Sequence, residues 1–248
     1  MLLKISLTLL VVGISLIAGR LAFRSDRDSS TSFALGLGEA FAAGVFLGAG
    51  LIHMLGDADA TFGAQGIDFP YAPLLCGAVL LALLWAEHLG HVVGQRSGQT
   101  SHVLPMTAVA MLSIHSLLMG AAFGITTSFS LAMAVFVAVL AHKGAASFAL
   151  GLELARSAMP KAKQWQLFLL FVAMFPLGVG LGQAVSHMTD AHPLVEASFS
   201  AVAAGTFLFF GTLHGLAASP LIARCCNAKE FVAAVAGFIL MAVVAIWT

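Results

Sequence analysis

Charge is what this chain has least of. Of its 248 residues only 9% are Asp, Glu, Lys or Arg, against roughly 25% in an average soluble domain. An ordinary soluble protein is thereby excluded, because a composition 60% hydrophobic offers more apolar surface than one core of this size can hide. Disorder is excluded for the opposite reason, since it needs high charge and little to bury. The three cysteines, Cys76, Cys225 and Cys226, make no disulfide framework. Eleven basic residues balance eleven acidic ones, which leaves no nucleic-acid footprint. No Gly-rich phosphate loop is present, so nothing points to ATP use. What the chain has in plenty is glycine, 25 residues, and in so apolar a sequence glycine signals close helix packing.

The class that remains is an all-α integral membrane protein with short loops. A bilayer core of about 30 Å takes roughly 20 apolar residues per helical crossing. That ruler gives eight segments, at about 2–23, 33–56, 71–94, 104–126, 129–155, 165–188, 194–218 and 229–247, in a single transmembrane domain over residues 1–248. Lys4 and the apolar run after it resemble a secretory signal. Arg20, Arg24 and Arg27 follow that run directly, and charge there favours a retained helix. Basic residues near the segment ends set orientation. Arg20, Arg24, Arg27, Arg96, Arg156, Lys161, Lys163, Arg224 and Lys229 all fall on one side and Lys4 alone on the other. Both termini are therefore expected outside the cytosol, which suits an even number of crossings.

The sequence repeats itself. Ala42-Ala43-Gly44-Val45-Phe46-Leu47 recurs as Ala203-Ala204-Gly205-Thr206-Phe207-Leu208, and at the same offset Gly50 matches Gly211 and His53 matches His214. The second and seventh segments carry the two copies and run in opposite directions. Such inverted repeats in transporters flank a midplane binding site, here with the fourth and fifth segments as a central pair in a 3+2+3 arrangement.

Ionisable groups deep in a membrane are costly and mark function. His115 falls at the middle of the fourth segment, His142 and Lys143 at the middle of the fifth. Two imidazoles at one depth on adjacent helices suit a transition-metal ion; the bland alternative is that each hydrogen-bonds a neighbouring helix. Met111, His115 and Met119 share a helix face. His/Met sets suit Cu(I), although methionine is also common apolar filler. Nearer the surfaces, His53 and Asp57 share one face at the outer end of the second segment, with Asp59 close by. Glu87, His88 and His91 offer a carboxylate and two imidazoles at the cytosolic end of the third. His187, Asp190 and His192 read equally as a further polar group or as interfacial anchors, Glu39 and His102 more as anchors, and Cys225-Cys226 as free thiols, with soft-metal binding the lesser alternative.

Several stretches resemble the ZIP family of zinc and iron transporters. His115-Ser116-Leu117-Leu118-Met119-Gly120 resembles that family's fourth-helix His-Ser-x-x-Glu-Gly pattern, and His142-Lys143 followed by Phe148-Ala149-Leu150-Gly151 its fifth-helix His-Lys segment. His53-Met54-Leu55-Gly56-Asp57-Ala58 is similar to the second-helix His-Met-Leu-Pro-Asp-Ala pattern. Pro176-Leu177-Gly178 and Ala204-Gly205-Thr206-Phe207-Leu208 resemble the sixth and seventh helices. The resemblance implies eight helices, a metal route lined by the fourth and fifth, and a homodimer. It implies that His115 and His142 are transport-site ligands, with Met119 where the family's glutamate stands. Ser116 and Lys143 would fill a neighbouring subsite, which holds a second metal in other branches of the family. His53 and Asp57 would lie at the external entrance. Phe175 replaces the sixth-helix acid of other branches, alanine stands at position 146, and His214 takes the place of a seventh-helix acid.

The expectation is a non-enzymatic transporter in the plasma or inner membrane, moving a divalent ion, Zn²⁺, into the cytosol by alternating access, with release towards Glu87, His88 and His91. No cofactor is implied beyond the transported ion. Missing the fourth-helix carboxylate, the site also fits a softer Cu⁺ cargo, or a metal-binding membrane protein that has lost transport. An intramembrane metal-dependent hydrolase is a further class, disfavoured because neither central histidine has a carboxylate partner on its own helix.

Overall fold

The computed structural model describes residues 2–25, 32–97, 103–126, 129–186, 193–216 and 228–246. All regular structure among them is helical. Helix α1 spans Leu2–Ser25 and α2 Ser32–Gly48; α2 runs without a break into a π-helical segment, π1 (Ala49–Met54), and then into α3 (Leu55–Ala64). Then come α4 (Tyr71–Ser97), α5 (Val103–Ile125), α6 (Phe129–Arg156) and α7 (Lys161–Ser186). Helix α8 (Pro193–Phe209) continues into a second π-helical segment, π2 (Phe210–Leu216), and α9 covers Ala228–Val244. With α2–π1–α3 and α8–π2 each taken as one rod, the described residues form eight rods.

Among the described residues, seven of these rods are long and apolar enough to cross a membrane. The eighth, α9, is equally apolar in character but has 17 residues, short of the roughly 20 a perpendicular crossing takes. The second rod runs on to Ala64, past the expected end near residue 56, so Asp57 and Asp59 stand on a helix rather than in a loop. It stops at Gly66, whose φ of 75° lies in the left-handed region that glycine enters without a Cβ clash. Pro160 opens α7, its carbonyl accepting from the amides of Lys163 and Gln164. The Gln164 side chain donates back to the carbonyls of Ser157 and Met159. Pro176 sits inside α7, where a missing N–H costs one backbone hydrogen bond.

Helix packing sorts the rods into two groups. In one, α5 lies along α7 and α1 along α6, with α1 also touching α7. In the other, α2 lies along α9 and α8 along α4 and α3, while π1 packs on α8 and π2 on α2. Contacts between the groups, chiefly α2 with α6, are sparser. The fourth and fifth segments, α5 and α6, touch each other less than they touch α7 and α1. Glycine explains the close pairs. A methyl group at Gly120 would strike the Phe175 carbonyl and one at Gly178 the Leu117 carbonyl, so α5 and α7 meet backbone to backbone. Gly44 and Gly237 do the same for α2 and α9, against Ala234 and Phe41.

Two long-range contacts tie rod ends together. Lys4 near the start of α1 donates to the carbonyls of Gly124 and Thr126 at the end of α5 (2.7 and 2.6 Å). At the other end, Arg156 of α6 pairs with Glu39 of α2.

Candidate metal site at the seam

Helix α5 presents His115 and Ser116, and α6 presents His142 and Lys143; all four side chains are buried. The two imidazole centroids lie 5.7 Å apart, with the rings at 72° to one another. Across the seam, Phe207 of α8 faces both: its ring lies 4.1 Å from His115 and 5.1 Å from His142. The pair from one helix group thus shares a single aromatic wall from the other.

Among the described residues, neither ring nitrogen of His115 has a hydrogen-bond partner, and Nδ1 of His142 has none. A buried polar atom left unpaired costs about 1–3 kcal/mol. The bland alternative, in which each histidine is tied by a hydrogen bond to a neighbouring helix, fails for His115. What such an arrangement offers is lone pairs held dry and close together, the donor chemistry of a transition-metal ligand.

Lys143 points elsewhere. Its Nζ donates to Ser116 Oγ and stands 3.9 Å from the Phe171 ring centroid and 5.8 Å from that of Phe175, both on α7. One hydroxyl and two π faces therefore hold the Lys143 amine beside the histidines. Met119, one turn from His115, is half-buried between two apolar clusters, and Met111 packs against the larger of these. Among the described residues no three His, Cys, Asp or Glu side chains converge, so the pair has no carboxylate companion there.

Of the other expected residues, His53 is near enough to His142 to interact with it electrostatically. His53, in π1, is buried, and its Nδ1 lies 2.9 Å from Oδ2 of Asp57, which is exposed. Glu87 and His88 line a shallow groove with Leu81, Leu84 and Trp85, all on α4. The side chains of His91 and His214 lie outside the described ones, and so do residues His102, His187, Asp190, His192, Cys225 and Cys226.

Three features escaped sequence reasoning as site components. Phe207 had a signal, since it stands in the repeated motif opposite Phe46; the two rings are 5.0 Å apart. Of the Phe171–Phe175 cage, Phe175 was marked only by standing where other branches have an acid, and Phe171 had no signal, because an apolar residue on an apolar helix carries no mark of its partner. The π segments had only the shared Gly and His positions, and π2 begins at the same offset from π1 as the sequence repeat.

A family model described as "ZIP Zinc transporter" matches residues 96–245. The chain is similar to "Zinc transporter ZIP2" of Mus musculus, 28% identical over 261 positions, and to the Homo sapiens protein of that name, 28% identical over 263, with 83% of each chain covered in both cases. "Zinc transporter ZIP3" of Homo sapiens is 32% identical over 156 positions, covering 61% of this chain and 50% of its own length.

Proposed function

This chain belongs to the ZIP zinc transporter family, as a multi-pass membrane protein that transports zinc and is not an enzyme, and from that premise we propose how it carries the ion. His115 and His142 are the transport-site ligands, and the observation that carries this is their burial side by side, edge to face, with both nitrogens of His115 and Nδ1 of His142 unpartnered among the described residues. Met119 supplies a weak thioether contact from the next turn. Ser116 and the caged Lys143 fill the adjoining subsite in place of a second ion.

A divalent ion buried without a counter-charge loses several kcal/mol of compensation. The site is accordingly weak and keeps part of the ion's water, which suits a transporter, where cargo must leave as readily as it enters. The absent carboxylate also keeps Cu⁺, a softer cargo of lower charge, as the competing substrate.

Zinc enters past His53 and Asp57 and leaves on the cytosolic side, where Glu87, His88 and His91 are the proposed acceptors. Alternating access moves the group of α1, α5, α6 and α7 against that of α2, α3, α4, α8 and α9. Support for this division is that close backbone contacts occur inside each group. The rods form a 3+2+3 inverted repeat, with α5 and α6 as the central pair. Its support is reciprocal packing: α5 with α7 against α6 with α1, α2 with α9 against α8 with α4, and π1 on α8 against π2 on α2. The Lys4 and Arg156 contacts agree with alternate crossings, and the positive-inside bias places both termini outside the cytosol. We further propose a homodimer in the plasma or inner membrane.

Uptake of radioactive zinc into proteoliposomes, with and without excess Cu⁺ or Fe²⁺, tests the reading. Saturable zinc flux that the His115→Ala variant lacks supports it; binding without flux replaces it with a metal-binding protein that does not transport.

A further inference from the structure

Below His142, towards the cytosol, one face of α6 carries Ala146, Ala149, Glu153 and Arg156 in turn, at the four- and three-residue spacing that keeps side chains on one stripe. Arg156 lies about 20 Å from His142 along the helix axis, at 1.5 Å per residue. Of the rods in the other group, α6 touches α2 most. On α2, Glu39, Ala43 and Phe46 form a stripe with the same spacing. Phe46 reaches the Phe207 ring at the histidine site, and Glu39 pairs with Arg156. Ala43 and Ala146 are buried, and at the inner end the Phe148 ring rests in the notch left by Gly38. Glu153 interacts electrostatically with both Arg156 and Glu39.

The two groups are thus bridged at the cytosolic end of the seam by an ion pair with one charge on each group. We propose that Arg156–Glu39, backed by Phe148, is an inner latch: it holds the cytosolic end of the seam shut, and it parts when the α1/α5/α6/α7 group shifts to release the ion along the Ala146–Ala149 track. Its chemistry suits that task. The pair is partly exposed, with side chains 45% and 23% accessible, and such pairs hold about 1 kcal/mol or less. A contact of that size biases a two-state equilibrium without locking it. Glu153, left next to the arginine once Glu39 moves away, gives the opened state a partner for the guanidinium.

The latch rests on the alternating-access reading, so its test reads accessibility rather than flux. Ala149→Cys is introduced into a chain whose Cys76, Cys225 and Cys226 are alanine, and a membrane-impermeant maleimide is applied from the cytosolic face of oriented vesicles. Glu39→Gln, and independently Arg156→Gln, is expected to raise the labelling rate about fivefold. The double variant labels no faster than either single one, and the exchange Glu39→Arg with Arg156→Glu restores slow labelling. Equal labelling rates with and without the pair overturn the latch, as does fast labelling in the charge-exchanged chain. Zinc flux through the parent chain reports separately on transport: unchanged labelling beside normal flux removes the latch alone, and faster labelling in a chain without flux removes the transport reading alone.

Discussion

The interfaces inside each helix group and the seam between the groups are built from the same alphabet to opposite ends. Within a group, glycine lets backbones touch: Gly120 and Gly178 join α5 to α7, Gly44 and Gly237 join α2 to α9. In lipid there is no hydrophobic gain from bringing helices together, so close packing of small residues is what binds them. Across the seam the contacts are made by side chains instead: two imidazoles against Phe207, Phe148 against Gly38, Arg156 with Glu39. Side-chain contacts can be remade in a second arrangement; a carbonyl seated on a glycine cannot be without separating the helices. The contrast separates close, rigid interfaces from a side-chain seam, with His115 and His142 on the boundary.

Breaking a close interface should have the largest effect. Gly178→Val drives a side chain into the Leu117 carbonyl, and overpacking against backbone costs about 3 kcal/mol or more. The expected result is little folded protein by size-exclusion chromatography. Gly38→Ala at the seam meets only the far end of the Phe148 ring and should purify normally. If both variants behave alike, the distinction between the interfaces fails.

Next in size is loss of cargo without loss of fold. His115→Ala and His142→Ala should each bring zinc uptake to background while leaving expression and thermal unfolding near those of the parent. Normal flux in either variant removes these residues from the site. Met119→Glu should act in the other direction, lowering the zinc concentration for half-maximal uptake by about tenfold, since a carboxylate one turn from His115 supplies the missing counter-charge. An unchanged value would mean that this face of α5 does not reach the ion.

The smallest effect belongs to Lys4. Its ammonium caps the carbonyls of Gly124 and Thr126, two of the acceptors a helix end leaves unpaired. Lys4→Met should cost about 1 kcal/mol, a fall in melting temperature of roughly 2–4 °C for a chain of this size, with uptake unchanged.

The long apolar stretches were readable because the cost of placing charge in lipid leaves a mark on every residue of a crossing. The midspan histidines were readable for the same reason turned round, as costly groups kept where they need not be. The repeat pointed to Phe46 and Phe207 before their rings were seen to meet. Hidden from view were Arg156 and Glu39, 117 residues apart, because two surface-type charges near helix ends look alike whether they pair or not. The extension of the second rod to Ala64 was hidden as well, since Asp57 and Asp59 lower the hydropathy that would have marked it.

By itself, then, the sequence determined that the chain lives in a membrane, how many rods it forms and which two imidazoles to suspect. These follow from composition and from local runs of residues, each set by the free energy of moving a side chain between water and lipid. Only the tertiary structure decided which helices pack backbone to backbone, which ring covers the histidines, what surrounds the Lys143 amine, and where the two groups meet by an ion pair. Those depend on shape and distance between segments far apart in the chain, for which lipid solvation, being alike on every apolar face, has no preference.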